Sequence, residues 1–495
     1  MVKCLQKPEN MEKIKLKLSA FLIQIIATSC ICFLACQTGF ACAWPSGTIH
    51  MFQSNDTVLS TPMTTFEVSL LGSLGNVGAL AATPFCGYAF NNFGRKYASI
   101  LFGLPYVINW AIISLAKGVP WILLAVTIAG VGIAGQNASL IFISEISHDS
   151  IRGGMTALSA SGYFLGLMAG YALGGYLPYY HVVYANMTMA VIAMVLLMLL
   201  PESPVFLVLV GKTEAAAKSI AFYNKVEPTS KEVEGEIKRI RIQLDPRLEK
   251  ILEAEQDPEA LSQLLAENGK TEEIAKPHSE SAWKLFRESK SSKRAMVIIL
   301  VLMVSSILMG APVMQIYAEP LFQEAVPTMS ANECSIYLAI VLLVASVICV
   351  LVVDKFGRKN LMILTSLGSG VCNVLLGTQL HLKWASPWFT VFLIYAFNFL
   401  FTLGCGVIPF ILTAEVFLPE VRSFCNSVVM SSLWVSLFVL LFIFNPIMEL
   451  IGLGPVFYCF SGVCFFLAIF SYIALPETKG LSADAIQALF LKKKA

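Results

Sequence analysis

Long apolar runs alternate with short polar segments along almost the whole chain. Twelve runs of about twenty mostly apolar residues can be traced, six on each side of a polar stretch at 201–294. A helix needs about 20 apolar residues to cross the hydrocarbon layer of a bilayer. Only helices are expected, because backbone in lipid must satisfy its own hydrogen-bonding groups. The predicted spans are 18–42, 66–90, 97–116, 120–147, 153–177, 182–200, 295–323, 333–353, 360–380, 388–413, 424–446 and 455–475.

The composition agrees with a lipid environment. The 495 residues are 57% hydrophobic and 13% charged, whereas soluble domains are about 25% charged. The pattern predicts an all-α membrane protein with two six-helix bundles at 18–200 and 295–475. The remaining parts are an N-terminal segment at 1–17, a linker with short helices at 201–294 and a tail at 476–495.

The linker is dominated by Glu, Lys and Arg. Opposite charges at helical spacing predict surface helices at Lys212–Lys225 and Glu232–Ala254. Residues 257–278 have the composition of a flexible polar insert. The segment is interpreted as a solvated connector or, alternatively, as a latch that docks on one conformation of the bundles.

The basic residues predict the orientation in the membrane. The loops on one side contain only Lys117 and Lys383, and the other 32 of the 34 Lys and Arg residues fall on the side of the termini. Because basic residues favour the inner side, both termini are predicted to be cytoplasmic in a multi-pass plasma membrane protein. The first outer loop, about 43–65, contains the acceptor triplet Asn55-Asp56-Thr57, which predicts a glycoprotein.

The same charged signature occurs once in each half of the chain. It consists of a Gly-Arg-Lys turn, a Glu and an Arg seven residues apart, and a Pro-Glu-Ser or Pro-Glu-Thr segment. Equivalent positions differ by 263, 270, 270 and 275 residues, which indicates a duplicated unit. Duplicated halves commonly form the binding site of a secondary transporter between them. The residues are Gly94-Arg95-Lys96, Glu145, Arg152 and Pro201-Glu202-Ser203, then Gly357-Arg358-Lys359, Glu415, Arg422 and Pro476-Glu477-Thr478.

These charges predict a cytoplasmic gate. Charges buried at helix ends are costly unless they are paired. If the halves approach on the inner side, Arg152 can meet carboxylates of the second half and Arg422 can meet Glu202 or Glu145. The alternative is that the charges only fix the topology. The candidate gate residues are Arg95, Glu145, Arg152, Glu202, Asp354, Arg358, Glu415, Arg422 and Glu477.

As a set, these motifs resemble those of the sugar porter family of the major facilitator superfamily. The segment from Gly39-Phe40 to Trp44-Pro45-Ser46 is most similar to the insect facilitated trehalose transporters. The resemblance implies a major facilitator fold and alternating access. One departure is Asn91, where the family usually has Asp.

The predicted substrate cavity departs further from the family pattern. Ser306, Ile307, Pro312, Ile316, Ala160, Leu342, Phe410 and Leu433 stand where the family usually has polar or aromatic residues, whereas Gly310, Tyr317 and Trp434 are kept. A desolvated sugar hydroxyl needs a partner, and each unmade bond costs about 1–3 kcal/mol. The candidate substrate-binding residues, each of which could instead serve helix packing, are Gln37, Gln136, Asn137, Tyr163, Tyr317, Glu319, Asn398 and Trp434.

Two of these candidates bear on whether transport is coupled to the movement of protons. Glu319 is either a functional intramembrane carboxylate or a side chain that has already reached the outer headgroups. Gln37 lies about where proton-coupled relatives have an aspartate, and a glutamine cannot titrate. This favours downhill uniport over proton symport, unless Glu319 takes the role.

The sequence thus predicts facilitated diffusion of a small polar solute, most simply a sugar such as trehalose or a hexose. One alternative keeps the fold but carries a less polar solute, and another is a non-transporting nutrient sensor. The 13 cysteines lack metal-ligand spacing, and no nucleophile–base pair or phosphate-binding glycine loop occurs. Neither an enzyme, a cofactor, a metal nor a nucleic-acid partner is therefore expected, and the protein is expected to work in the bilayer as a monomer.

Overall fold

A computed structural model describes residues 18–148, 151–244, 286–287, 290–417, 419–479 and 489. The regular structure of these residues is helical, which confirms the predicted all-α fold class. The first half contains α1 (Leu18–Gln53), α2 (Thr65–Phe93), α3 (Arg95–Leu115), α4 (Val119–Ala134), α5 (Gln136–Ile146), α6 (Arg152–Tyr176) and α7 (Tyr179–Leu199).

A linker of short helices and a second half follow. The linker contains α8 (Pro204–Leu209), α9 (Thr213–Asn224) and α10 (Lys231–Leu244). The second half contains α11 (Lys290–Leu308), α12 (Ala311–Ile316), α13 (Ala318–Ala325), α14 (Ala331–Phe356), α15 (Arg358–Leu382), α16 (Pro387–Leu403), α17 (Ile408–Val416), α18 (Pro419–Ile451) and α19 (Leu453–Ala474). The predicted segments 1–17 and 257–278, and residues 245–254 of the second linker helix, lie outside the described residues.

Eleven helical segments in the described part are long and apolar enough to cross a membrane. The remaining predicted span, 153–177, is α6, a helix of 25 residues that is rich in glycine and other small residues. These residues let backbones approach closely, as is common between membrane helices. A side chain at Gly39 of α1 would overlap the Tyr163 carbonyl of α6, and one at Gly166 would overlap the Cys36 carbonyl.

Helices of the two halves pack in equivalent ways. In the first half α1 packs on α6, α2 on α4 and α3 on α7, and in the second half α15 packs on α19, α14 on α16 and α11 on α18. The halves meet where α2 packs on α18 and α6 packs on α14. Hereafter the basic end is the end with the two Gly-Arg-Lys turns, and the far end is the end with the loop 54–64.

The structure corrects two predicted boundaries. The first helix does not stop at residue 42 but continues to Gln53, so the far loop predicted at 43–65 is only 54–64. The reason is that Trp44, Ile49 and Phe52 are buried, so their burial extends the helix past Pro45. Asn55 remains in this loop and is exposed. In addition, α11 begins at Lys290, inside the predicted linker.

Three predicted spans are interrupted within the membrane-spanning length. The span at 120–147 breaks at Gly135, and the span at 388–413 breaks at 404–407. The span at 295–323 breaks twice, at Gly310 and at Tyr317. Gly310 has φ +96°, a conformation that favours glycine, and a side chain there would overlap the Phe460 ring. The break at Gly310 therefore depends on a residue without a side chain.

Candidate functional site

Each half makes the same tight turn at the basic end. Gly94 has φ +91° between α2 and α3, and Gly357 has φ +82° between α14 and α15. Both values lie in the left-handed region, where glycine carries no steric penalty. A side chain at Gly94 would overlap the Glu202 carboxylate, and one at Gly357 would overlap Glu477. Glycine therefore allows both the turn and the approach of a carboxylate.

Glu202 and Glu477 cap the helices that follow these turns. Glu202 Oε1 accepts from the backbone N–H groups of Arg95 and Lys96, each at 2.9 Å. Glu477 accepts from the N–H of Arg358 at 2.9 Å and of Lys359 at 3.1 Å. A carboxylate at a helix N-terminus is stabilised by the unpaired N–H groups and the helix dipole. The duplicated sequence thus produces a duplicated capping geometry.

A mostly buried ion pair completes the basic end of the first half. Arg95 donates from Nε at 3.0 Å and from Nη2 at 2.8 Å to Glu145 Oε1. The Ser203 hydroxyl donates to the other oxygen of Glu145. Glu145 and Glu202 therefore both have partners within the first half.

The remaining predicted gate residues are described only in part. Arg152 is exposed, and its Nε donates to the Ser144 carbonyl at 2.9 Å. The side chains of Asp354, Glu415 and Arg422 lie outside the described residues. The pairs that Arg152 and Arg422 are expected to form with the opposite half stay predictions.

The linker docks on the basic end of the first half. Buried Gln24 of α1 donates to the Tyr223 carbonyl of α9 at 3.3 Å and accepts from the His148 N–H at 2.9 Å. The Tyr223 hydroxyl donates to the Pro201 carbonyl at 2.8 Å. Burial raises the pKa of Tyr223, and the nearby Glu202 carboxylate raises it further, so the hydroxyl stays protonated as a donor. These contacts fit either interpretation of the linker, connector or latch.

Contacts between the halves are described at the far end. Thr65 Oγ1 of α2 donates to Glu449 Oε1 of α18 at 2.8 Å. One turn further in, Asn445 Nδ2 donates to Ser69 Oγ at 3.3 Å. The Ser46 hydroxyl accepts from the N–H of Glu319 at 2.8 Å. In this structure the two halves are therefore closed against each other at the far end.

Tyrosines join the halves near the breaks in the predicted span 295–323. Tyr163 donates to Gln315 Oε1 at 3.2 Å, and Tyr171 donates to the Gln315 carbonyl. Tyr317 is buried and donates to the Leu441 carbonyl of its own half at 3.2 Å. A side chain at Gly72 of α2 would overlap the Tyr317 hydroxyl, so this glycine sets how closely the halves approach.

The other predicted substrate residues are spread over the molecule. Trp434 Nε1 donates to Thr83 Oγ1 across the halves at 2.9 Å. Asn398 is buried within the second half and donates to the Ile394 carbonyl at 2.9 Å. Glu319 is half-buried near the far end and accepts from Gln323 at 3.3 Å. Gln136 is half-buried at the start of α5, and the side chain of Asn137 lies outside the described residues.

A cavity near the middle of the molecule lies mainly among α1 to α4. About 50 Å³ of it is accessible to water-sized groups, and the space around this volume opens to solvent. It is hereafter called the side cavity, and its lining is Ala41, Cys42, Trp44, Pro45, Leu71, Gly72, Gly75, Asn76, Asn109, Trp110, Val126, Ala129, Ile133 and Ile316. Ile316, next to Tyr317, is the lining residue from the second half.

Polar atoms around the side cavity lack partners among the described residues. Trp44 Nε1 and Asn109 Oδ1 are buried without a hydrogen bond. Gln37 Oε1 accepts from Trp110 Nε1 at 3.4 Å, but Gln37 Nε2 is also buried without a partner. A buried polar group without a partner costs about 1–3 kcal/mol. Buried atoms without a partner also occur elsewhere in the described residues, such as Asn186 Oδ1 and Ser369 Oγ.

Sequence reasoning missed several of these residues. Gln315, Asn76 and Asn109 are polar residues inside apolar spans, which is a usable signal for function. The signal was not specific, because amides in spans also serve helix packing. Gln315 becomes informative only when Tyr163 and Tyr171, about 150 residues away in sequence, are brought beside it. Among the described residues, no group of His, Cys, Asp and Glu could hold a metal ion.

The chain matches a known family over most of its length. A family model described as "Sugar (and other) transporter" matches residues 27–490. A facilitated trehalose transporter Tret1 from Culex quinquefasciatus is 24% identical over 94% of this chain and 85% of the relative. Sugar transporter ERD6-like 6 from Arabidopsis thaliana is 24% identical over 94% of this chain and 92% of the relative. Some relatives are longer: the chain spans 54% of Tret1 from Aedes aegypti, at 23% identity over 94% of this chain.

Solved structures share the fold. The inward open conformation of the xylose transporter XylE from E. coli superposes with a TM-score of 0.72 at 18% identity. This match covers 95% of this chain and 99% of the other. XylE bound to 6-bromo-6-deoxy-D-glucose gives a TM-score of 0.69 at 19% identity, over 95% and 99% of the two chains. The predicted major facilitator fold is therefore confirmed.

Proposed function

Because this multi-pass membrane protein belongs to the sugar (and other) transporter family, we propose that it carries a sugar across the membrane down its gradient. Trehalose or a hexose is the proposed solute class, since the curated relatives include facilitated trehalose transporters. No covalent chemistry is part of the proposal, so the protein is not proposed to be an enzyme.

The proposed mechanism is alternating access by rocking of the two halves. The observation that carries it is a difference between the two ends. At the basic end, the described contacts of Arg95 with Glu202 and Glu145 lie within one half, whereas at the far end hydrogen bonds join the two halves. Each half then moves as a body that keeps its own helix cap, and the first half also keeps the Arg95–Glu145 ion pair. The contacts that change are the Thr65–Glu449 and Ser69–Asn445 bonds and the Tyr317 contact with Gly72.

The orientation and location are also proposed. With the basic end on the cytoplasmic side, the structure is closed to the outside, and both termini are in the cytoplasm. The plasma membrane is the proposed location, with the monomer as the working unit. Exposed Asn55 in the far loop is then available for glycosylation.

The proposed gate and substrate residues are those of the sequence analysis. Tyr163, Tyr317 and Trp434 gain support because their side chains lie between the halves, and Gln37 gains support because it accepts from Trp110, which lines the side cavity. Asn398 gains less support, because its amide donates to Ile394 and Met314 within its own half. The replacement of a titratable residue by Gln37 favours uniport.

A less polar solute is a second candidate. It is favoured by the lining of the side cavity, in which aliphatic and aromatic residues outnumber the amides Asn76 and Asn109. In a pocket of this kind, apolar contacts favour binding and the few polar groups orient the ligand.

Uptake into liposomes tests the proposal. The purified full chain is reconstituted, and radiolabelled trehalose, glucose and a less polar polyol are supplied with and without a proton gradient. Downhill uptake that is independent of the proton gradient supports a sugar uniporter. Uptake of the less polar solute alone supports the second candidate, and solute binding without flux contradicts transport.

Charge variants give the matched control for this experiment. Arg152→Ala and Glu415→Ala are expected to reduce uptake strongly if they serve the gate. Lys218→Ala removes an exposed surface pair with Glu214, so it is expected to leave uptake unchanged. Uptake by Arg152→Ala and Glu415→Ala that equals uptake by Lys218→Ala would contradict a role of these charges in the gate.

A further inference from the structure

The second half contains a broken helix, and the backbone at this break is bonded by the first half. α12 ends where the Tyr317 N–H donates to the Val313 carbonyl at 2.9 Å, and α13 begins where the Leu321 N–H donates to the Tyr317 carbonyl at 2.9 Å. In a continuous helix, the Glu319 N–H would donate to the Gln315 carbonyl, four residues earlier. In this structure both groups of that single bond have partners in the first half instead.

Ser46 of α1 and Tyr171 of α6 are these partners, and both are buried. The Glu319 N–H donates to the Ser46 hydroxyl at 2.8 Å. The Gln315 carbonyl accepts from the Tyr171 hydroxyl. Tyr163, about two turns before Tyr171, donates to the side-chain oxygen of Gln315 at 3.2 Å. Helix α6 therefore binds Gln315 through both its backbone and its side chain.

Pro320 explains why the helix breaks at this point. Proline has no N–H for the Ile316 carbonyl, its ring crowds that carbonyl, and it disfavours the helical conformation at the residue before it. It is tolerated in the first turn of α13, where an N–H has no helical partner. The chain departs from the helix at Tyr317, with φ −108° and ψ 32°. Because buried backbone groups without partners are costly, a break here requires hydrogen bonds from outside the helix.

We propose that Tyr171 and Ser46 are positioning residues that keep the far end closed by completing the backbone at this break. Both bonds join the two halves, so they exist only while α1 and α6 lie against α12 and α13. Separation of the halves at the far end removes both partners at once and leaves the Gln315 carbonyl and the Glu319 N–H to each other or to water. These roles rest on the proposed function, in which the far end opens and closes during transport.

Thiol labelling measures how often the far end opens, and it needs no sugar. Ser69 is buried and accepts from Asn445 of the other half at 3.3 Å. A cysteine at position 69 is therefore expected to react with a hydrophilic maleimide only when the far end opens. The full Ser69→Cys chain is purified, and mass spectrometry of the peptide that contains residue 69 gives the labelling rate.

Tyr171→Phe and Ser46→Ala, each added to the Ser69→Cys chain, test the two bonds. Each substitution leaves one backbone group at the break without its partner in the closed state only. Each is expected to raise the labelling rate at residue 69 about tenfold, the effect of one buried hydrogen bond.

Thr48→Val and Tyr106→Phe are the matched controls. Each removes a buried hydroxyl whose bond stays within the first half. Thr48 donates to a carbonyl of its own helix at 2.9 Å, and Tyr106 pairs with Thr38 at 2.7 Å. All four variants lose one buried hydrogen bond, so similar unfolding temperatures are expected, but the controls should label within twofold of the Ser69→Cys chain. An equal rise in the controls, or no rise in the two test variants, would overturn the proposed roles.

Pro320→Ala tests the link between these bonds and the break. Alanine restores the N–H and permits a continuous helix, in which Gln315 and Glu319 bond to each other. Labelling is expected to rise, and addition of Tyr171→Phe is expected to change it less than twofold, because the Tyr171 bond is already lost. A further tenfold rise would show that the Tyr171 contact is independent of the break and would contradict its proposed role.

The labelling results and the uptake results fail separately. If the unmodified chain takes up no sugar but the labelling rates follow these expectations, the proposed solute is wrong and the roles of Tyr171 and Ser46 stand. Sugar uptake by the unmodified chain together with unchanged labelling rates in Tyr171→Phe and Ser46→Ala overturns these roles alone.

Discussion

The two ends of the molecule are stabilised in different ways. At the basic end, Glu202 and Glu477 cap helices of their own halves, and Arg95 pairs with Glu145 inside the first half. At the far end, some hydrogen bonds cross between the halves, as in the Asn445–Ser69 and Thr65–Glu449 pairs. Charge-assisted bonds are roughly twice as strong as neutral ones.

This difference separates what stays fixed from what moves. At the basic end, the described charged contacts lie within each half. At the far end, the neutral Asn445–Ser69 bond contributes only about 0.5–1.5 kcal/mol, and the Thr65–Glu449 bond is weakened by exposure to water although its acceptor is a carboxylate. Contacts of this strength can break and re-form during a transport cycle. The comparison therefore predicts large stability effects at the basic end and effects on conformation at the far end.

The largest effect is expected from removing a helix cap at the basic end. Glu202→Ala leaves the N–H groups of Arg95, Lys96 and Ser203 without their carboxylate acceptor, at a cost of about 3–5 kcal/mol. Thermal unfolding in detergent measures this loss. Glu67→Ala, which removes an exposed capping box at the far end, is expected to cost only about 1 kcal/mol. Equal losses would show that the ends do not differ.

A substitution between the halves is expected to affect conformation more than stability. In Gly72→Ala the added methyl group overlaps the Tyr317 hydroxyl, which penalises closure of the far end by about 1–3 kcal/mol. Uptake is expected to fall about tenfold, with a smaller fall when Tyr317→Phe removes the overlapping hydroxyl. Gly87→Ala on the same helix has no atom within 4 Å of the added carbon, so it should keep full uptake. A similar fall in both variants would argue against this contact.

An intermediate effect is expected at the ion pair of the first half. Arg95→Lys keeps the charge but loses the two-pronged contact with Glu145, which costs about 1–2 kcal/mol. Arg239→Lys provides the surface comparison, since the pair with Glu236 is about 29% exposed and contributes at most about 0.5 kcal/mol. Unfolding of the two variants side by side measures the difference. Equal losses of stability in Arg95→Lys and Arg239→Lys would show that the Arg95–Glu145 pair has no special role.

The smallest effect is expected at the exposed far-end contact. Glu449→Gln keeps a carbonyl oxygen that accepts from Thr65, so the change is expected to stay below about 0.5 kcal/mol. A double-mutant cycle with Thr65→Val, read out as the rate of uptake, measures the coupling. A coupling above about 2 kcal/mol would mean that charge also holds the far end, contrary to the comparison.

Much of the fold could be predicted from the sequence because lipid imposes a strict pattern. The helices of the described part lie close to the predicted spans, and the repeated Gly-Arg-Lys turns have the same capping geometry in both halves. Boundaries were missed where tertiary burial overrides local signals. Pro45, Ser46 and Gly47 have the composition of a loop, yet burial of Trp44 and Phe52 extends the helix through them.

The site could be predicted only in part. Tyr163, Tyr317 and Trp434 were among the candidates, and the structure places their hydroxyl or indole groups between the halves. Asn109 was missed because its importance depends on Trp44 and Gln37. These two residues lie on α1, whereas Asn109 lies on α3. Which polar atoms remain unpaired after packing is a property of the assembled bundle, and no local pattern encodes it.

The self-contained charges of the first half have a consequence for biosynthesis. Arg95, Glu145 and Glu202 find one another within the first 202 residues, and α9 adds Tyr223 soon afterwards. Domains fold in order as the chain emerges from the ribosome. We therefore expect the amino-terminal bundle to complete its ion pair and its helix cap before the second half has been translated.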